Sequence, residues 1–211
     1  MPVSTLPSSC TSIFGGNLEA TTSLTPGEVE VNPADLFRVS RHNTGEPYFG
    51  KSNANRFDDP NPDPAARYGT CYLGTSLAVA VAETVLHDLK PRNGCFEVDV
   101  ASIESRYVVR FGGEPLVLAN LTGAALKRIG GHAGLTGTAS YATTKKWSAA
   151  VHSHPDQVDG ILYMSRHKND EKAVVLFDRG AGKLHMREVT PLHEHPEFGQ
   201  VGTDLCIKAA L

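Results

Sequence analysis

The run of residues 77–86 constrains the fold of this chain more than any other part of the sequence. Every position in it is apolar except Glu83 and Thr84. Ser76, directly before the run, is a typical helix N-cap, so the pattern predicts a helix. Leu77 and the apolar residues spaced four apart from it form one stripe, and the opposite side is also largely apolar. A helix that is apolar nearly all round is buried, so the rest of the chain must pack around it.

Glu83 is the charged residue that this buried helix has to accommodate. A carboxylate removed from water is costly unless hydrogen bonds, a cation or a ligand compensate for the lost hydration. The helix alone leaves two interpretations open. Glu83 either reaches solvent or pairs with a structural arginine, or it belongs to a ligand site.

Strands and helices are mixed along the rest of the chain. Alternating apolar and polar residues predict a strand over 36–40, and a second helix carrying Trp147 is predicted over 143–152. Because strands and helices do not alternate strictly, the pattern favours a single α+β domain. Further strands are predicted over 71–73, 96–100, 107–111, 161–164 and 173–177.

Two segments do not follow either periodicity. Residues 1–34 are rich in Ser, Thr, Gly and Pro, which predicts an irregular N-terminal extension before a folded domain over 35–211. Residues 42–68 are dense in Asn, Asp, Pro and Gly, and the prolines within 58–64 exclude a helix or a central strand. A loop of that length inside a domain is often functional.

Charge and cysteine content narrow the class of protein. A formal net charge of −3 and a pI near 6.3 argue against a general nucleic-acid binder, but they allow a small anionic ligand held by a few arginines. The four cysteines lack zinc-site spacing and are too sparse for a disulfide scaffold, so Cys71 and Cys95, in apolar runs, are expected to be buried free thiols. Without a secretory signal or a membrane-length apolar run, we expect a cytoplasmic protein that does not use a membrane.

Histidines occur as two closely spaced pairs, His152 with His154 and His193 with His195. On a strand this spacing places both rings on one face, but a third ligand at a defined spacing is missing. We therefore expect no metal, with a histidine metal hydrolase as a minor alternative. The sequence contains no P-loop, no dinucleotide-binding glycine fingerprint and no serine nucleophile elbow.

Four other residues each allow a structural and a functional interpretation. Arg38 and Arg56 either point into solvent or present planar guanidinium groups to phosphate oxygens. Tyr72 is either a core tyrosine with a satisfied hydroxyl or a ring that faces a cationic ligand. Ser165 follows a predicted strand, where a polar residue either begins a loop or contacts a ligand.

Seven short segments along the chain are each weak evidence for a family, but their order and spacing together are more specific. They are LFRV at 36–39, NRF at 55–57, CYLGTS at 71–76, AVAE at 80–83, Trp147, DGILYMSR at 159–166 and VVLF at 174–177. Together they resemble the RES domain, a family named for its Arg, Glu and Ser residues. The resemblance covers about residues 35–179. Many compact members lack an N-terminal extension like the one predicted here.

The resemblance implies a fold and a function. The family fold is similar to that of ADP-ribosyltransferases of the diphtheria-toxin kind, with a mixed β-sheet core and surrounding helices. RES proteins are typically toxins of bacterial toxin–antitoxin pairs, partnered by an Xre-type antitoxin, and they degrade NAD+ by hydrolysis or phosphorolysis. An NAD+-degrading toxin is therefore expected, with NAD+ as its substrate. A protein ADP-ribosyltransferase and a non-catalytic partner-binding module are the alternatives, and a homodimer also fits.

By the same resemblance, Arg38, Arg56, Tyr72, Glu83 and Ser165 become the site candidates. Glu83 is expected to stabilise the positive charge that develops on the ribose as the nicotinamide leaves, with Arg38 and Tyr72 assisting. Arg38 and Arg56 suit the pyrophosphate, and the Tyr72 ring suits the cationic nicotinamide. Ser165 is expected to orient the ribose or the nicotinamide amide.

Overall fold

The predicted buried helix forms in the computed structural model, which describes residues 27–138 and 140–210. It is helix α1, Leu77–Thr84, and its N-cap is confirmed because the Ser76 hydroxyl oxygen accepts a hydrogen bond from the Val79 N–H at 3.1 Å. Leu77, Val79 and Val81 are fully buried. The helix therefore lies within the protein as its composition requires.

The described residues form ten strands and six α-helices. The strands are β1 Glu28–Val31, β2 Phe37–Ser40, β3 Thr70–Gly74, β4 Phe96–Asp99, β5 Tyr107–Gly113, β6 Leu116–Leu121, β7 Gly160–Met164, β8 Lys172–Phe177, β9 Leu184–Pro191 and β10 Ile207–Ala210. Besides α1, the helices are α2 Val100–Glu104, α3 Gly123–Arg128, α4 Gly134–Gly137, α5 Ala142–His152 and α6 Phe198–Asp204. Every strand and helix predicted from the periodicity is present.

Eight of these strands form one mixed sheet in the order β1-β6-β7-β8-β3-β2-β5-β9. β6 and β7 run parallel, and the other neighbours in the sheet run antiparallel. α3, α4 and α5 lie in the crossover that a parallel pair requires. β4 and β10 form a separate parallel pair. The mixed sheet with surrounding helices confirms the predicted α+β class.

The sheet opens between β2 and β3. β2 pairs with β5 over four residue pairs and β3 pairs with β8 over five, but β2 and β3 meet at the single pair Phe37↔Gly74. A side chain on Gly74 would approach the backbone of α1, since a Cβ there would lie 2.6 Å from the Ala80 nitrogen. The two halves of the sheet are thus joined at one point and separate beyond it.

Three hydrophobic clusters hold the layers together. One packs α5 and the residues before it against β6, β7 and β8, and a second packs α1, α2 and α6 against β2, β4 and β5. The third combines β3, β6, β7 and β8 with β5 and β9, so the sheet curves until its two halves share an interior.

The expected start of the folded domain at Asp35 is too late. β1, over 28–31, pairs with β6 at the edge of the main sheet. The alternating sequence Glu-Val-Glu-Val already has the period of a strand, and its valines are half-buried while its glutamates are exposed. Residues 1–26, the rest of the predicted extension, lie outside the described residues.

The expectation for Cys95 is also wrong. Cys95 and Cys206 form a disulfide that joins positions 111 residues apart, beside the β4–β10 pair. Sequence spacing could not show this, because the two cysteines meet through tertiary structure. Cys71 is a buried free thiol, as predicted, and burial raises its pKa to about 11.

Within 27–138 and 140–210, no helix is long and apolar enough to cross a bilayer.

The packing around β7 gives a test of the sheet. A Cβ on Gly160 would lie 2.2 Å from the Val175 carbonyl oxygen of β8, so Gly160→Ala should lower the free energy of unfolding by roughly 1–3 kcal/mol. Gly202→Ala, in α6, meets no atom within 4 Å and should raise that free energy by about 0.5–1 kcal/mol. Urea unfolding measures both. Equal effects of the two variants would contradict the close approach of β7 to β8 at Gly160.

Candidate functional site

A cleft of about 230 Å³ lies where β2 and β3 separate. Four of the five predicted site residues line it: Arg38, Arg56, Tyr72 and Glu83. They come from β2, the long loop, β3 and α1, so the fold gathers segments that are far apart in sequence. Ser165 does not line the cleft but lies directly behind it.

Glu83 is held in place through one of its carboxylate oxygens. Oε1 accepts a hydrogen bond from the Ser165 hydroxyl at 2.6 Å and another from the Arg166 backbone N–H at 3.0 Å. Glu83 is half-buried and lines the cleft. Both bonds go to Oε1, so Oε2 can serve a ligand. The interpretation of Glu83 as a surface residue or a partner of a structural arginine does not fit this geometry.

The place of Ser165 differs from the expectation. Its side chain is buried, its hydroxyl donates to Glu83, and its oxygen accepts a bond from the Lys168 N–H at 3.0 Å. The hydroxyl is therefore used within the protein and does not point into the cleft. Ser165 therefore fixes the position of the Glu83 carboxylate.

Arg38 occupies the gap in the sheet. Its Nη1 donates to the Tyr72 carbonyl oxygen at 3.0 Å and lies 3.2 Å from the Cys71 sulfur. The guanidinium therefore provides the hydrogen bond that this β3 carbonyl lacks where β2 has moved away. Its Nε forms an ion pair with Oε2 of Glu46 at 2.8 Å, although the N–H is not aligned as in a hydrogen bond. Nη2 takes part in none of these three contacts, and Arg38 lines the cleft.

Arg56 approaches the cleft from the long loop. Its Nη1 donates to the Thr138 carbonyl oxygen at 3.0 Å, and its guanidinium lies 4.7 Å from the centre of the Tyr141 ring. Burial lowers the pKa of Arg56 from its ordinary value, and Arg166 lowers it further. A guanidinium stays charged despite such a shift, so the cleft keeps a second fixed cation.

Tyr72 has a hydroxyl that is hydrogen-bonded within the protein and a ring that lines the cleft. Its hydroxyl donates to Oδ1 of Asp58 and accepts from the Phe57 N–H, each at 2.9 Å. Burial and the nearby Asp58 raise the pKa of Tyr72 well above its ordinary value, so the phenol is neutral. The hydroxyl is thus satisfied while the ring lines the cleft, which leaves ring stacking as its means of contacting a ligand.

Asp58 fixes the loop that carries Arg56. Its Oδ1 accepts from the Thr70 and Tyr72 hydroxyls, at 2.7 and 2.9 Å. Its Oδ2 accepts from the Ser52 hydroxyl at 3.2 Å and from the backbone and side-chain N–H groups of Asn55, at 2.9 and 3.2 Å. The carboxylate is almost fully buried. Five hydrogen bonds therefore compensate for its lost hydration and join the loop to β3.

The model of the RES domain matches residues 35–197. This chain belongs to the RES-domain family. The match continues beyond Arg179, where the sequence resemblance was expected to end, and includes β9. The resemblance of the seven segments to the RES domain is therefore confirmed.

Two known proteins are similar to this RES-domain chain. It is 33% identical over 113 residues to a probable toxin, y4kH, of Sinorhizobium fredii. The aligned region covers 53% of this chain and 83% of that protein. Its fold matches a chain of the M. tuberculosis MbcT–MbcA toxin–antitoxin complex with a TM-score of 0.57, covering 83% of this chain and 91% of that chain. At 12% identity, the second match shows a shared fold.

Several residues of the RES-domain cleft were not predicted. His87 and His167 both line it, with ring centres 4.8 Å apart, and Tyr141, Tyr163 and Asn55 complete the wall. Burial lowers the pKa of His167, Glu83 opposes this shift, and His87, Arg166 and Arg56 add to it. Tyr163 and Asn55 lie inside the family segments, which could have indicated them. The two histidines are far apart in sequence and give no such signal.

The paired histidines considered as metal ligands serve other contacts. His152 stacks on Tyr68 with ring centres 4.0 Å apart, and His195 packs edge-on against Phe37. His154 lies 3.1 Å from the Asp156 carboxylate. Among the described residues, no group of three or more His, Cys, Asp or Glu side chains is placed to hold a metal.

Removing the Asp58 carboxylate should release the loop. Asp58→Ala leaves several buried donors without an acceptor, so it should lower the free energy of unfolding by roughly 2–4 kcal/mol and speed amide exchange over 42–68. Asp63→Ala removes an exposed cap in the same loop and should cost about 1 kcal/mol or less. Urea unfolding and hydrogen exchange measure the two effects. Unchanged exchange in Asp58→Ala would contradict the role given to this carboxylate.

Proposed function

We propose that this protein is an NAD+-degrading toxin that cleaves the nicotinamide–ribose bond by hydrolysis or phosphorolysis. Membership of the RES-domain family, similarity to a probable toxin and a fold shared with a chain of a toxin–antitoxin complex support this proposal. The observation that carries it is the Glu83 carboxylate, positioned through Oε1 in a cleft that also contains two arginines.

Glu83 would act on the bond that breaks. As the C–N bond lengthens, its electron pair moves to the nicotinamide nitrogen, which loses its positive charge, and oxocarbenium character develops on the ribose. A carboxylate fixed beside the ribose stabilises that charge without having to reorganise. Oε2, not used by Ser165 or Arg166, can accept a hydrogen bond from a ribose hydroxyl.

The arginines and Tyr72 would bind the two charged parts of NAD+. The pyrophosphate is anionic, and Nη2 of Arg38 and the Arg56 guanidinium can donate charge-assisted hydrogen bonds to its oxygens. The nicotinamide is cationic before cleavage, and the Tyr72 ring can stack on it. Because the Tyr72 hydroxyl is already bonded to Asp58 and Phe57, Tyr72 would contribute through its ring and not by proton transfer.

The acceptor determines the product. Water adds to the ribose carbon and loses a proton, giving ADP-ribose, whereas inorganic phosphate gives ADP-ribose phosphorylated at that carbon. A protein side chain in the same position gives ADP-ribosylation, the alternative enzyme class. An antitoxin protein is the proposed partner, since the structurally similar chain comes from a toxin–antitoxin complex, and the family resemblance implies the Xre type.

Loss of NAD+ in the presence of the purified protein tests the enzymatic proposal. We expect wild type to consume NAD+ and Glu83→Gln, which keeps the shape but removes the charge, to be slower by about a hundredfold or more. Glu97→Gln, which changes an exposed side chain of β4, is the matched control and should match wild type. Chromatography of the products with and without phosphate separates phosphorolysis from hydrolysis. Full activity of Glu83→Gln would refute the role of Glu83.

Expression in a bacterial host tests the toxin proposal. Induction of the wild-type chain should stop growth and lower the cellular NAD+ content, because cleavage consumes the cofactor pool. Glu83→Gln at the same protein level should do neither. Growth arrest with an unchanged NAD+ content and labelled ADP-ribose on protein would instead favour the transferase alternative. Normal growth and NAD+ content with wild type would contradict the toxin proposal.

A further inference from the structure

A second compartment, of about 460 Å³, lies beside the cleft that contains Glu83. The two share Arg38, Asn55 and Tyr72 as a common wall. The rest of the lining of the second compartment comes from Thr70 and from the loop residues Tyr48, Gly50, Lys51 and Ser52. A ligand with two halves could therefore place one in each compartment and its middle at Arg38.

The Glu83 cleft is too small for a whole dinucleotide. Its volume of about 230 Å³ is below the roughly 300–1,000 Å³ of pockets that hold drug-sized ligands. If the nicotinamide and its ribose lie beside Glu83, the remainder of NAD+ must extend beyond this cleft. The shared wall at Arg38 leads to the second compartment.

Tyr48 exposes its ring at that compartment. It is 64% exposed, whereas the other large hydrophobic side chains described are buried or half-buried, apart from Leu89. Its backbone is nevertheless fixed, because its N–H donates to Oε2 of Glu46 at 2.8 Å, and the same oxygen pairs with Nε of Arg38. The buried Glu46 carboxylate thus couples the position of an exposed aromatic ring to that of the arginine at the junction.

We infer that the second compartment binds the adenosine half of the dinucleotide, with Tyr48 stacking on the adenine. This inference rests on the proposed function for the orientation of the ligand. An aromatic ring gives every base a stacking face, and the Lys51 ammonium adds positive charge on the phosphate side. A single exposed aromatic residue needs no explanation by itself. Here its backbone is anchored, and it lines a compartment that shares three residues with the Glu83 cleft.

The test compares NAD+ with nicotinamide mononucleotide, which lacks the adenosine half. Tyr48→Ala should raise KM for NAD+ roughly tenfold, within the range found for the loss of base stacking, and leave kcat unchanged. Cleavage of the mononucleotide should be the same in wild type and Tyr48→Ala. Tyr48→Trp should restore KM for NAD+, and Leu89→Ala, which changes the other exposed hydrophobic side chain, should leave it unaltered.

Two results would overturn the inference while the proposed function stands: an unchanged KM for NAD+ in Tyr48→Ala, or an equal loss of activity on both substrates. Failure of the proposed function would appear separately, as absence of NAD+ cleavage by wild type. Calorimetry with ADP-ribose then decides the inference. Weaker binding by Tyr48→Ala than by wild type supports it, and equal or undetectable binding by both rejects it.

Discussion

The guanidinium of Arg38 in the gap between β2 and β3 is the interaction on which the site depends. A sheet that opens in its middle exposes carbonyl groups that have lost their strand partners, and an unpaired buried carbonyl is costly. Arg38 bonds to the Tyr72 carbonyl and pairs with Glu46, so it replaces the missing strand and carries positive charge into the opening. One side chain thus makes the gap stable and makes it suitable for an anion.

The loop over 42–68 is irregular in secondary structure but well anchored. Asp58 ties it to β3 from one side, while hydroxyls of α5 bond to it from the other. Thr144 donates to the Arg56 carbonyl oxygen at 2.7 Å, and Ser148 donates to the Phe57 carbonyl oxygen at 2.6 Å. The many prolines reduce the freedom that the unfolded loop would lose on folding. Arg56 is therefore presented from a fixed backbone, as a binding residue requires.

Sequence periodicity predicted six of the ten described strands and two of the six described α-helices, but not their arrangement. The apolar run around Glu83 predicted a buried helix because burial depends on local composition, and the seven spaced segments indicated the family. The Cys95–Cys206 disulfide and the His87–His167 contact depend on which distant segments meet, and no local pattern encodes that. For Ser165 the pattern could not indicate the hydrogen bond to Glu83, since a position after a strand does not show which group its hydroxyl faces.

The bond between Ser165 and Glu83 joins residues 82 positions apart, and this has a consequence for synthesis. While a ribosome is still making the chain, α1 emerges long before β7 and the turn that follows it. Until residues 165 and 166 have emerged, neither donor that fixes Oε1 exists. The nascent chain therefore lacks a positioned carboxylate until the segment that follows β7 has left the ribosome.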